Sequence, residues 1–403
     1  MDLSYGAEYE AFREEVRVFV DAAWPEASRA RSASSEERGE FIRSAVERGY
    51  LYRSVPKRYG GSEQPFDPLR SEIVSEVFDA AHAPFRLGPQ GVGMIVPTLL
   101  ECGADWQKQR FIPETLTGEF VWCQGYSEPG SGSDLASLRS TARLEGDSWV
   151  IDGQKIWTSD AADAHYMFGL FRTEPDAPKH GGISYLLLEM NQPGIEVRPL
   201  RQITGATHFY EVFFDGVRTP ADWMVGERGQ GWQVTRVNLK YERNLGGGNR
   251  LRAQFDALLE TARRATLGGR PAIEDPRIRQ RLAEIYGFVR CGEASSLRRL
   301  SAVANGDEGA VALSLLVGKL FGSDVIERIT ELGYELLGAD GLRAPRISSW
   351  QGIELSGGQV DWVDQYLFAL GGRIAAGSSN IQRNVIGERG LGLPRDLRAG
   401  ETR

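Results

Sequence analysis

The sequence predicts an α+β multidomain protein in which a helical N-terminal segment, a β-rich middle and a helical C-terminal segment follow one another. Apolar residues recur with a helical period through roughly the first hundred residues. Short apolar or alternating runs separated by turn residues then occupy about residues 119–225. After that the helical period returns and persists almost to the end. No βαβ alternation occurs, which argues against a Rossmann-type parallel sheet. The 403 residues leave room for about two to three domain-sized units. The expected boundaries are 1–118 for an N-terminal α-helical domain, 119–228 for a middle β-domain and 229–403 for a C-terminal α-helical domain.

Phe12, Val16, Phe19, Val20 and Ala23 line one face of a first helix, and Pro25 stops it. Ser35, Glu36 and Glu37 introduce a second amphipathic stretch running to about Tyr50. Residues 58–68, RYGGSEQPFDP, read as a loop from their Gly and Pro content. Helix resumes through Ile73, Val74, Val77 and Phe78 and again through residues 91–102. The strands of the middle segment are carried by SWVIDGQKIWTS, HYMFGLF, ISYLLLEM, IEVRPL and YEVFFDGV, with DG, GG and PG punctuation. Beyond GERGQGW, Val325, Ile329, Leu332 and Leu336 repeat the helical stripe. Trp24, Trp106 and Trp232 sit on helix faces and read as core.

Hydrophobic residues at 41% and charged residues at 25% are ordinary for a globular chain and exclude disorder or a fibre. The formal charge of −8 gives no footprint for nucleic acid or an anionic membrane, although a local Arg cluster could still meet an anionic ligand. Cys102, Cys123 and Cys291 have no paired spacing and the four histidines are scattered, so neither a disulfide framework nor a metal site is expected. The polar, acidic N-terminus resembles no signal or import peptide. No apolar run approaches the ~20 residues of a membrane span. The expectation is a cytoplasmic protein.

Two segments carry the chemistry. In Trp122-Cys-Gln-Gly-Tyr-Ser-Glu-Pro-Gly-Ser-Gly-Ser-Asp134, small residues and hydroxyls follow a strand, and free backbone N–H groups there would nest a phosphate or an electron-rich ring edge. A solvated turn is the plain alternative. Gly153-Gln-Lys-Ile-Trp-Thr-Ser159 is an alternating strand with Trp157 and two hydroxyls, and a strand Trp is ordinarily core.

Together SEPGSGSD and GQKIWTS resemble the acyl-CoA dehydrogenase family, with its TEPxxGSD loop and K-x-W-x-(T/S) strand. VFFDGVRTP at 212–220, Gly377-Ser-Ser-Asn-Ile-Gln-Arg-Asn-Val-Ile386 and Leu391-Gly-Leu-Pro-Arg395 resemble further motifs of that family in the same order. The resemblance spans residue 1 to about 395 and implies a helical domain, a β-domain and a C-terminal four-helix bundle, with FAD in the cleft between them. It implies a flavin loop from Gln124 to Ser133 that includes Tyr126 and Gly132, with Ser127 near the ring and Ser133 near pyrophosphate or substrate. Trp157, Thr158 and Ser159 would meet the isoalloxazine. Arg264, Ser378 and Asn380 would complete the cofactor contacts. The sequence departs from the family at Leu267, where Phe is usual beside that Arg, and at Glu335, where Gln is frequent and a carboxylate would repel a diphosphate unless it points away.

The family's reaction removes a proton α to a thioester while a hydride leaves the β carbon for flavin N5. That requires a carboxylate in a dry pocket with its pKa raised toward the working pH. Many members place it just before the Gly of the C-terminal signature, where this chain has Ala376. Some branches, resembling isovaleryl-CoA and steroid side-chain dehydrogenases, place it instead on an L-x-x-E-R helix. Here that helix reads Val237-Asn-Leu-Lys-Tyr-Glu242-Arg243, so Glu242 is the candidate base; an exposed or salt-bridged helix Glu is the alternative. Arg243 would meet the anionic end of CoA or brace the helix. Gly246, Gly247 and Gly248 suggest either a close backbone approach or a break in the helix. The resemblance implies an FAD-dependent acyl-CoA dehydrogenase acting on an acyl-CoA thioester. Electron-transfer flavoprotein would be its acceptor, and the chain would assemble as a homotetramer or homodimer, or as a heterotetramer with a related chain. A flavin oxidase or monooxygenase of the same fold, and a non-catalytic or half-site subunit, are the competing readings.

Overall fold

The computed structural model describes residues 6–25, 34–85, 87–242, 249–345 and 360–394. The chain forms two units. One comprises the chain to Leu200 and Thr207–Leu245; the other comprises Arg201–Ala206 and the chain from Gly246 onward.

In the first unit, α1 (Ala7–Ala23) buries the predicted stripe of Phe12, Val16, Phe19 and Val20. Helix α2 (Ser35–Glu47) opens with a capping box one residue earlier than the sequence suggests: the Glu37 N–H donates to Ser34 Oγ at 3.2 Å, and the Ser34 N–H donates to the Glu37 carboxylate at 2.9 Å. Helix α3 (Pro68–Ala80) starts on an Asp67 cap with Pro68 in its first turn, and packs Ile73, Val74, Val77 and Phe78 against α1 and α2. The predicted loop at 58–68 begins in a single 3₁₀ turn at Lys57–Tyr59 that buries Tyr59, and it gives way to α3 at Pro68. A π-turn at Gly91–Ile95 leads into α4 (Val96–Cys102), and α5 (Asp105–Thr117) follows.

The middle segment forms an eight-stranded mixed sheet. Its strands are β1 (Trp122–Gly125), β2 (Thr141–Glu145), β3 (Ser148–Ser159), β4 (Tyr166–Arg172), β5 (Ile183–Glu189), β6 (Ile195–Leu200), β7 (Phe209–Pro220) and β8 (Met224–Val225). They run in the order β6-β7-β3-β2-β4-β5-β8, with β1 added parallel to β4. Successive strand residues face opposite sides, so β4 and β5 feed two cores. Tyr166, Phe168, Leu170, Ile183, Tyr185 and Leu187 join the core shared with α4, α5 and α6 (Gly231–Glu242). Met167, Phe171, Leu186 and Leu188 join the core on the other side. Burial on both faces explains why these strands read as unbroken apolar runs.

Helix α6 begins at a backbone contact. A Cβ at Gly231 would lie 2.5 Å from the Ser184 carbonyl carbon and 2.6 Å from Tyr185 N, so only glycine lets the helix start this close to β5.

The second unit is built on α7 (Asn249–Arg264), α8 (Pro276–Ala304), α9 (Glu308–Glu335) and α10 (Trp362–Gly372), with a small β9–β10 hairpin (Thr266–Leu267 and Arg270–Pro271) and the short α11 (Ser379–Val385). Its core joins Phe255, Leu258 and Ala262 of α7 to Leu282, Ile285 and Val289 of α8 and to Trp362 of α10. The predicted α9 stripe of Val325, Ile329, Leu332 and Leu336 belongs to it. Trp362 lies on Gly333, where a Cβ would collide with the indole, and its Nε1–H donates to Thr261 Oγ1 at 2.8 Å.

One expectation is corrected here. Gly309–Glu335 of α9 is long and apolar enough by length and composition to cross a membrane, and it is largely unburied in this unit. The count of unbroken apolar residues missed it because Lys319, Asp324, Glu327 and Arg328 punctuate the run.

Candidate active site

The Gly/Ser loop leaves β1 through Gln124, which is half-buried in register with Phe168, and through Tyr126, which is buried. A tight turn follows. The Glu128 N–H donates to the Ser131 carbonyl at 3.1 Å and the Ser131 N–H donates back at 2.9 Å, which leaves Pro129 and Gly130 at an exposed tip. Ser131 Oγ donates to the Asp134 and Leu135 carbonyls at 3.0 and 3.1 Å. Gly132 and Ser133 stay exposed, and Asp134 is held by Lys179 Nζ at 2.7 Å. Ser127 is half-buried, and its carbonyl accepts the Ile156 N–H at 2.9 Å, joining the loop to β3.

Beneath the loop lies a charge pair. Lys155 on β3 is fully buried and Glu128 is 8% exposed, with Nζ to Oε1 at 2.8 Å. The same Nζ donates to the Tyr126 carbonyl at 3.2 Å, and the Glu128 carboxylate accepts the Arg139 and Ser140 N–H groups at 2.6 and 2.9 Å. Burial pushes the Glu128 carboxyl up, but the Lys155 ammonium and these hydrogen bonds outweigh it and hold the group below its ordinary value. Burial likewise pushes the Lys155 ammonium down, against the opposing pull of Glu128.

Strand β3 bulges against β7 between Lys155 and Thr158. There Trp157 takes φ 60° and stands 58% exposed, edge-on to Phe209 at 6.0 Å. Trp157 is therefore not core: the bulge breaks the alternation and turns the indole outward. The neighbouring Thr158 is fully buried, and its Oγ1 has no hydrogen-bond partner among the described residues. Ser159 is half-buried at the strand end. An outward indole, an orphaned buried hydroxyl and the exposed backbone at Gly130, Gly132 and Ser133 fit a planar ring with a polar edge and a phosphate-bearing tail. The residues present thus fit FAD.

Helix α6 ends at Glu242. The Glu242 side chain, Arg243 and Gly246–Gly248 lie outside the described residues. One turn before that end, Asn238 is fully buried. Tyr126 Oη–H donates to Asn238 Oδ1 at 3.0 Å, and Asn238 Nδ2 donates to Thr98 Oγ1 at 3.0 Å and to Tyr185 Oη at 3.4 Å. Tyr241 donates its hydroxyl proton to Glu101 of α4.

The remaining predicted contacts belong to the second unit. Arg264 is exposed at the end of α7, with Nε on Glu260 at 2.7 Å, and Leu267 is partly exposed on the β9–β10 hairpin. Ser378 caps α11, accepting the Ile381 N–H at 3.4 Å, and exposed Asn380 accepts from Arg383 at 3.4 Å. Ala376 is exposed at φ 50°, ahead of Gly377 at φ 85°. The feared repulsion at Glu335 is relieved within the unit: Arg281 donates two N–H groups to its carboxylate, one at 3.1 Å.

The structure thus brings Gln124–Ser133, Trp157–Ser159 and the body of α6 together in one unit, and sets Arg264, Ser378 and Asn380 in the other. Sequence reasoning passed over Glu128, Lys155 and Asn238. The first two were signalled by opposite charges inside the two motifs; nothing local marked Asn238.

Residues 6–119, 123–217 and 229–391 match the N-terminal, middle and C-terminal domains of acyl-CoA dehydrogenase, respectively. The chain is 37% identical over 366 residues to acyl-CoA dehydrogenase IpdE1 of Mycobacterium tuberculosis, covering 90% of each chain. It superposes on a chain of the ChsE4–ChsE5 complex of Mycobacterium tuberculosis with a TM-score of 0.77 at 28% identity, covering 98% of this chain and 100% of that one. The Tcur3481–Tcur3483 steroid ACAD gives 0.76 at 28% identity, with the same coverage.

Proposed function

The chain belongs to the acyl-CoA dehydrogenase family, and from that premise we propose that it desaturates a steroid-derived acyl-CoA thioester, with Glu242 as the base and FAD held by the β1 loop and the end of β3. The end of β3 carries this reading: Trp157 turned outward on a left-handed backbone beside a buried Thr158 hydroxyl that no group among the described residues satisfies. FAD, when bound, supplies the acceptor for the hydride that leaves the β carbon.

The chain's own residues do the rest. Trp157 and Ser127 would flank the ring, Thr158 and Ser159 would offer hydroxyls to its polar edge, and Gly132 and Ser133 would present backbone N–H groups to the phosphates. Glu242 takes the α proton from the thioester, the proton acceptor that the reaction requires. An electron-transfer flavoprotein would be the electron acceptor.

Two things support the substrate class. The L-x-x-E-R spelling places the base on α6, and one of the similar structures is described as a steroid ACAD. Assembly with a second chain, related or identical, is supported by the largely unburied apolar length of α9 and by the ChsE4–ChsE5 neighbour, which is a complex. The half-site reading rests on Ala376, which supplies no carboxylate.

Anaerobic spectra of the purified holoprotein, recorded with short, branched and steroid-like acyl-CoAs, test the proposal. Bound flavin bleached by steroid-like thioesters in the wild type, and not in Glu242→Gln, is the expected result. Bleaching that survives Glu242→Gln removes the base assignment. A chain that takes up no flavin until a second chain is added moves the weight to the half-site reading.

A further inference from the structure

We propose that Asn238 is a positioning residue for proton abstraction: its side-chain amide locks α6, one turn before Glu242, to the strand that leads into the flavin loop. This rests on the assignment of Glu242 as base. The amide offers two N–H donors and an accepting oxygen, and each meets a partner on a different element. Tyr126 at the root of the loop donates to it, and it donates to Thr98 of α4 and Tyr185 of β5. Thr98 then passes its own proton to the Met94 carbonyl at 2.7 Å. Asn238, Thr98 and Tyr185 are fully buried and Tyr126 nearly so.

An apolar side chain would be the ordinary occupant of this place, because burying an unpaired amide costs about 1–3 kcal/mol. What the polar residue adds is register. Apolar contacts tolerate sliding, whereas an amide bonded to three elements fixes both the rotation and the translation of its helix. At 3.6 residues and 5.4 Å per turn, the Glu242 Cα lies about 6 Å along the axis and about 40° around it, so the placement of Asn238 carries directly to the base.

Two further features hold the same helix. The Gly231 contact stops its start from shifting on β5, and the Tyr241–Glu101 hydrogen bond ties its last turn to α4. Because Tyr126 immediately precedes Ser127, the amide also joins the base helix to the root of the flavin loop.

The test uses holoprotein carrying Asn238→Leu, which keeps the branched outline of the side chain and removes the amide, and Thr98→Val, which removes one partner from outside the site. Flavin reduction is followed anaerobically in a single turnover with an acyl-CoA that bleaches the wild type, unlabelled and α-deuterated. In Asn238→Leu, reduction is expected to slow by about 10–100-fold. The α-deuterium isotope effect should rise, while flavin content, visible spectrum and acyl-CoA affinity stay at wild-type values. Thr98→Val should show the same signature to a lesser degree. A wild-type rate and isotope effect in flavin-loaded Asn238→Leu, or in Thr98→Val should the first variant not fold, overturns the inference. So does a slowing that follows flavin loss. Glu242→Gln run alongside separates the failures: if it still bleaches, the base assignment falls; if it does not while Asn238→Leu behaves as wild type, only the positioning role falls.

Discussion

The interior of the β-domain and the surface of the C-terminal helices each hold a carboxylate–cation pair, and the two obey different physics. Glu128 and Lys155 meet with almost no solvent, and the carboxylate also accepts two backbone N–H groups. Arg281 and Glu335 make a two-pronged contact in the open, each about 40% exposed. The first pair determines how a loop leaves a sheet. The second only quiets a charge that the fold would otherwise present bare. Sequence adjacency to a motif says nothing of this difference; solvent decides it.

The largest expected effect comes from breaking the buried pair on one side. Lys155→Met leaves an uncompensated carboxylate and should lower unfolding stability by about 3–5 kcal/mol in urea titrations, with flavin lost in parallel. Glu128→Gln together with Lys155→Met should recover most of that stability, because no buried charge remains. A single variant as stable as the wild type would erase the contrast between the two regions.

Acid sharpens the same contrast. The folded-state pKa of Glu128 lies below its ordinary value, so its contribution is present above the unfolded carboxylate pKa of about 4.3 and is lost as pH falls through the lower folded value. Denaturation midpoints between pH 7 and pH 3 should therefore fall more steeply for the wild type than for the double variant. Thr158→Val removes a hydroxyl that is unpaired among the described residues. Stability of the flavin-free chain should hold or rise slightly, while flavin affinity in a fluorescence titration should weaken by up to about tenfold. Glu335→Gln should give the smallest change, about 0–1 kcal/mol, and that should shrink further at high salt.

The helical stripes were legible because they depend only on period: Phe12, Val16, Phe19 and Val20 are buried, as are Val325, Ile329, Leu332 and Leu336. The β-rich middle and its two motifs were legible for the same local reasons. Trp157 was not, since a bulge of the backbone reverses the side that alternation assigns it. Asn238 was invisible because its burial is satisfied by Thr98, 140 positions earlier, and by Tyr126, 112 earlier. The Arg281–Glu335 pair likewise spans 54 positions and two helices. Long-range polar complementarity leaves no periodic trace, and in this chain the finer geometry of the site is made of it.

The left-handed Trp157 has a consequence for the life of the protein in a cell. A non-glycine residue in that conformation costs on the order of 1–3 kcal/mol, and the flavin-free chain bears this cost beside an unsatisfied Thr158 hydroxyl. A ligand that binds only the folded form and meets both groups shifts the folding equilibrium in its favour by mass action. With FAD as that ligand, as proposed above, riboflavin starvation should reduce the abundance of the protein before it reduces transcription of its gene.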